Sequence, residues 1–88
     1  MEIQKSKAAK DFYEKAQNLL GDLYSRWLDE RGYEDIKDYQ KPLDPIAKEC
    51  GVVITKMTKR PFGCQFTVDG KHFSFNVGLT WVQYKRIA

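Results

Sequence analysis

The chain has 88 residues and a mass of 10.3 kDa, enough for one domain over residues 1–88 and no more, since domains rarely fall below about 50 residues. Apolar residues at 42% and aromatics at 14%, with six Gly and three Pro, exclude disordered and collagen-like classes, because a disordered chain lacks the apolar surface that offsets its ordering entropy. The net charge of +3 is unevenly spread: residues 11–40 hold four basic and eight acidic groups, and residues 41–88 hold eight basic and three acidic ones. This division bears on the steering of partners rather than on the fold.

The chain opens Met1-Glu2-Ile3-Gln4-Lys5, which is not the apolar run of a secretory signal, and no segment approaches the roughly 20 apolar residues of a membrane span. The expectation is a cytoplasmic protein that does not enter membranes. Two cysteines, Cys50 and Cys64, are too few to staple a secreted scaffold and fit no zinc spacing, so both read as free thiols acting as small hydrophobes.

Phe12, Ala16, Leu19, Leu20, Leu23, Trp27 and Leu28 recur at steps of three and four, with Tyr13 and Tyr24 widening the stripe and Asp11, Lys15, Asn18, Asp22, Arg26 and Asp29 on the opposite side. That period predicts one long amphipathic helix, with Ser6 as its N-cap and Arg31-Gly32 as its stop. Tyr33, Ile36 and Tyr39 predict a short helical segment ended by Pro42, and Asp44-Pro45 an N-cap and first turn for a second short helix closed by Gly51.

β-Branched and aromatic residues take over after Gly51. Val52 to Lys59 and Cys64 to Val68 read as strands, joined by a loop Arg60-Pro61-Phe62-Gly63. Asp69-Gly70 predicts a type I′ hairpin, whose two-residue loop sets Val68 opposite Lys71, Thr67 opposite His72, Phe66 opposite Phe73 and Cys64 opposite Phe75. One face then carries Cys64, Phe66, Val68, Phe73, Phe75 and Val77, and the other Gln65, Thr67, His72, Ser74 and Asn76. Residues 81–87 are a fourth strand or a terminal helix, with Thr, Trp, Val and Tyr favouring the strand. The resulting fold class is α+β: a long N-terminal helix and one or two short helices packed on a three- or four-stranded antiparallel meander.

Chemistry is sparse. Cys64 and His72 are the only nucleophile and base worth pairing, and the register points them to opposite faces. Cys50, Cys64 and His72 lack a fourth zinc ligand, and the carboxylates Asp29, Glu30, Glu34 and Asp35 lack the Gly-containing loop of a calcium site. There is no Gly-rich phosphate loop, nucleophile elbow or HExxH. The expectation is a non-enzymatic protein without metal or cofactor.

Twelve aromatics exceed what one small core is expected to bury, so some should form a contact surface. Lys56, Lys59, Arg60, Lys71, Lys85 and Arg86 lie in neighbouring strands and turns, interleaved with Phe62, Trp81 and Tyr84, and these nine residues are the candidate contact set. Phe12 and Tyr13, near the end of a helix longer than the strands, are the candidate association surface for a homodimer or a partner helix. The first reading is a binding protein, a regulator or inhibitor that occupies a surface of a larger protein, and its size also suits such proteins of mobile-element type. The alternative is a nucleic-acid-binding module that uses the basic aromatic half for phosphate contacts and base stacking.

Overall fold

Apolar side chains at helical spacing need a surface to cover, and here they find one side of a sheet. A computed structural model describes residues 7–30 and 35–87; the expected cap at Ser6, the stop at Arg31-Gly32 and the contribution of Tyr33 lie outside them. Helix α1 (Lys7–Glu30) is about 36 Å long at 1.5 Å per residue, matching the longest dimension of the molecule, 36 Å. It buries Phe12, Ala16, Leu20 and Leu23, as the periodicity predicts, and Ala9 besides, and leaves Leu28, expected in the stripe, 44% exposed.

A 3-10 helix (Ile36–Tyr39) follows, capped by Asp35, whose carboxylate accepts from the Lys37 N–H at 3.0 Å. Helix α2 (Asp44–Cys50) comes next. Its N-cap is Leu43 rather than Asp44: the Asp44 carboxylate accepts instead from the Gln40 amide at 3.2 Å. At its other end the Gly51 N–H donates to the Lys48 carbonyl and the Val52 N–H to the Ala47 carbonyl, the paired bonds of a Schellman ending.

Four strands, β1 (Val53–Lys59), β2 (Phe62–Val68), β3 (Lys71–Val77) and β4 (Val82–Arg86), form one antiparallel sheet in the order β1-β2-β3-β4. The fold is α+β, with helices first and a four-stranded meander after them. Residues 82–86 take the strand alternative. Asp69 and Gly70 have φ of 54° and 75°, the two positive values of a type I′ turn, and the β2–β3 register is the predicted one, with Phe66 opposite Phe73 and Cys64 opposite Phe75. The predicted loop 60–63 is shorter, because Phe62 and Gly63 belong to β2 and only Arg60-Pro61, joined by a cis peptide bond, turns the chain. A bulge between Ile54 and Lys56 adds one residue to β1, so that Ile54 and Met57, three apart, both reach the core.

The core is aromatic at both ends of α1. Phe12 meets Phe66 edge-on at 4.9 Å, and Tyr13 meets Phe75 at 5.1 Å and Tyr84 at 4.8 Å. Toward the other end Tyr24, Trp27 and Tyr39 surround Phe62, with centroids 5.3, 6.0 and 5.9 Å away. The Tyr39 hydroxyl donates to Glu30 and the Arg26 guanidinium lies 4.9 Å over the Tyr39 ring, which fastens the 3-10 helix to α1. The part of α1 that outruns the sheet is therefore covered by this short helix.

Candidate interaction surface

Every described helix packs against the same core, and among the described residues no element covers the opposite side of the sheet. Cross-strand partners share a face, and the registers build that side in three rows: Thr58, Gly63, Asn76 and Gln83; Lys56, Gln65, Ser74 and Lys85; Val53, Thr67 and His72. It is mostly polar, with Lys56 and Lys85 as its cations and no carboxylate in any row, but it also carries exposed apolar side chains: Val53 at 63% and, by the alternation that places Gln83 and Lys85 here, Trp81 at 46% and Ile87 at 44%. Lys56, His72, Gln83 and Lys85 are exposed.

Two polar residues on this side are nonetheless buried, Ser74 and Asn76, each 5% exposed. β3 is an interior strand, so side chains from β2 and β4 crowd over it. The Asn76 amide donates to Thr58 Oγ1 and to the Pro61 carbonyl, both at 3.2 Å, and Thr58 Oγ1 donates to the same carbonyl at 2.8 Å. Asn76 reaches across Gly63 to do this: a Cβ on Gly63 would stand 2.7 Å from the Asn76 amide nitrogen and 2.0 Å from the Phe75 carbonyl oxygen. Among the described residues the Ser74 hydroxyl is buried without a hydrogen-bond partner. None of Thr58, Gly63, Asn76 or Gln83 belongs to the contact set expected from sequence; the hairpin alternation does put Asn76 on the polar face, whereas Thr58, Gly63 and Gln83 join it only through the β1–β2 and β3–β4 registers.

The expected contact set divides. Lys56 and Lys85 share the bare side. Lys59 and Arg60 are exposed at the β1–β2 end, Lys71 is half-buried beside the Asp69-Gly70 turn, and Arg86 is exposed on β4 in the row of Phe66 and Phe73. Phe62 is 1% exposed and belongs to the core. Tyr84 sits on the helix side, its ring 5.9 Å from that of Phe73 and almost parallel to it, at 3°. Trp81 remains outside, 46% exposed, with its indole seated on Gly78, where a Cβ would come within 2.3 Å of it. Phe62 and Tyr84 are thus withdrawn from the basic surface, and Trp81 is the one aromatic of the three that stays exposed beside Gln83 and Lys85. Phe12, at 0% exposure, and the half-buried Tyr13, the expected association surface, pack on Phe66, Phe75 and Tyr84.

Cys64 is fully buried, and burial pushes its thiol up to about 12; His72 lies on the other side of the sheet. Burial raises the Tyr84 hydroxyl to about 12 as well, and its oxygen is buried without a partner among the described residues. Burial likewise raises the Cys50 thiol, beside an ion pair of Lys15 and Glu49 at 3.0 Å that ties α1 to α2. Among the described residues no group of three or more His, Cys, Asp or Glu side chains is placed to hold a metal ion, and no helix is long and apolar enough to cross a membrane. The groove between α2 and β1, about 360 Å³, has Ala47, Val52, Val53 and Ile54 in its lining with the exposed Asp44 and Lys48, and among the described residues no thiol, hydroxyl or imidazole lines it. Comparison of the chain with protein-family models, with curated proteins and with solved structures gives no match.

Proposed function

We propose that this is a non-enzymatic binding protein of the cytoplasm, a regulator or inhibitor that acts by occupying a surface of a larger protein, and that it does so with the bare side of its sheet and the adjoining β4. The observation that carries the reading is the one-sided architecture: the described helices all lie on one side, and the other, among the described residues, is a mainly polar surface with Lys56 and Lys85 and no carboxylate. Amides, hydroxyls and cations on rigid strands give directional, charge-complementary contacts, which favour specificity and fast association with an acidic partner. The buried, unreactive Cys64 thiol and its separation from His72 support a role without catalysis.

The nucleic-acid reading draws on the same cations but is left with Trp81 alone for stacking, since Phe62 is inside and Tyr84 faces the helix. The deciding experiment is chemical cross-linking and capture from the native host, comparing the wild-type chain with a folded Lys56→Glu, Lys85→Glu variant. One dominant protein, lost with the variant, supports the proposal. Capture unaffected by the variant refutes this surface. Short RNA or DNA bound in the micromolar range, with affinity falling steeply between two salt concentrations, replaces the proposal with the alternative.

A further inference from the structure

The two edges of the sheet differ. β1 is interrupted by its bulge and packs against the 3-10 helix and α2, devices that keep a strand from pairing with another chain. β4 runs without a bulge, contains no proline, and among the described residues packs against little besides β3.

Its backbone can be read from two bonds. The Gly78 N–H donates to the Trp81 carbonyl and the Ile87 N–H to the His72 carbonyl. In an antiparallel ladder such bonded pairs alternate with non-bonded ones, so residues 81, 83, 85 and 87 direct their N–H and C=O groups at β3. Val82 and Tyr84 then direct theirs away from the sheet. Val82 is 39% exposed, and no described strand lies beyond it.

Resting on the reading of a protein that binds an acidic partner, we infer that β4 is the docking edge, and that it takes up an extended acidic segment of the partner as a fifth, antiparallel or parallel strand held by the backbone groups of Val82 and Tyr84 and by Lys85. Charge selects this occupant. Residues 79–87 contain Lys85 and Arg86 and no acidic residue. A second copy pairing through the same strand about Tyr84 would set the two Lys85 side chains diagonally on one face, roughly 7 Å apart, with no anion between them. An acidic strand reverses the sign of that contact.

Strand geometry also predicts the pattern of the segment. Residues alongside Gln83 and Lys85 lie on the bare side and should be acidic; those alongside Tyr84 lie toward the half-buried rings of Tyr84 and Tyr13 and should be apolar. The recognised segment therefore alternates acidic and apolar residues.

The probe is a terminally blocked Glu-Val-Glu-Val-Glu-Val-Glu peptide titrated into the isotope-labelled full chain, with amide shifts followed by NMR. Two peptides serve as controls, one of the same composition in block order and one with Lys in place of Glu. The expected result is saturable binding of the alternating acidic peptide only, with the Val82 and Tyr84 amides shifted and those of Val53–Lys59 unmoved. Lys85→Glu should weaken it at least tenfold. Val82→Pro, which removes an outward N–H without touching the β3 ladder, should weaken it likewise, provided the variant keeps the wild-type circular dichroism; Lys85→Glu and the block-order peptide decide the matter if it does not. No binding, equal binding of the block-order peptide, or shifts centred on β1 would overturn strand addition. The reading of a binding protein stands or falls separately, on whether the Lys56→Glu, Lys85→Glu variant loses its cross-linked partner.

Discussion

Replacing Phe73 by Ala tests the register on which both the core and the bare side depend. Phe73 is 0% exposed, its ring stacked at 5.3 Å on Phe66 and at 5.9 Å on Tyr84. A buried Phe removes at least ~150 Å² from water, worth about 4 kcal/mol at ~25 cal/mol per Å², and measured Phe→Ala costs of about 3–5 kcal/mol agree. A chain of this length is stabilised by only about 4–13 kcal/mol in total, so the variant should be barely folded. Thr67→Ala, on the opposite face and half-exposed, should cost no more than about 0.5 kcal/mol. Urea denaturation followed by circular dichroism separates the two. With a slope of about 1 kcal/mol per molar for a small domain, Phe73→Ala should lower the midpoint by ~4 M or abolish the transition, and Thr67→Ala should scarcely move it. Equal shifts would mean that Phe73 and Thr67 share a face, and the register would be wrong.

Gly63→Ala should lower stability by about 2 kcal/mol or more, because φ is +157° and the new Cβ meets the Phe75 carbonyl oxygen at 2.0 Å; a thermal midpoint within a few degrees of wild type would contradict the close approach. Tyr84→Phe removes a buried hydroxyl that has no partner among the described residues and should be neutral or stabilising by about 1 kcal/mol, whereas a clear loss in the same urea assay would mean that the hydroxyl is satisfied. Burial holds Cys64 and Tyr84 at about 12 in the folded chain against ordinary values of 9.0 and 10.0, so the unfolded chain loses these protons first and stability falls as pH rises from about 9 toward 12. Cys64→Ala should flatten the lower part of that fall in urea midpoints taken between about pH 8 and 11, and an unchanged slope would refute the burial of the thiol.

Local chemistry made some of this architecture readable. Asp69-Gly70 fixes a turn, the turn fixes a register, and the register sorts Phe66, Phe73 and Phe75 from Thr67 and His72 without any knowledge of the rest. The stripe through Phe12, Ala16, Leu20 and Leu23 needs only its own period. The β1–β2 connection was less legible: Pro61 suggests a longer loop, yet Arg60-Pro61 alone turns the chain and Phe62 falls in the strand. At α2, Asp44 looks like a cap, but Leu43 already has helical backbone angles, φ −83° and ψ −25°, leaving Asp44 in the first turn. These are boundary errors of one or two residues, set by tertiary packing around Phe62 and Leu43.

The larger departure concerns the aromatics, and it changes the physics of the binding proposal. Counting twelve rings against one small core assumes a single layer, but α1 collects rings at both ends: Phe66, Phe73, Phe75 and Tyr84 around Phe12 and Tyr13, and Tyr24, Trp27 and Tyr39 around Phe62. Aromatic pairs that meet edge-on and stacked fill both clusters, and only Trp81 among the described aromatics is left exposed. Apolar anchors of the kind that dominate many interfaces are therefore spent on the fold. On the proposed reading, a surface built from Gln65, Thr67, Gln83, Lys56 and Lys85, with Val53 and Trp81 as its exposed apolar groups, draws its affinity chiefly from directed hydrogen bonds and from charge. Contacts of that kind are screened by salt within about 10 Å at 0.1 M, and they act on the rate of encounter more than on the lifetime of the complex. A polar, cationic side backed by a rigid aromatic core thus suits a partner that supplies the opposite charge and unsatisfied backbone groups, and among the described residues the edge of β4 offers both complements together.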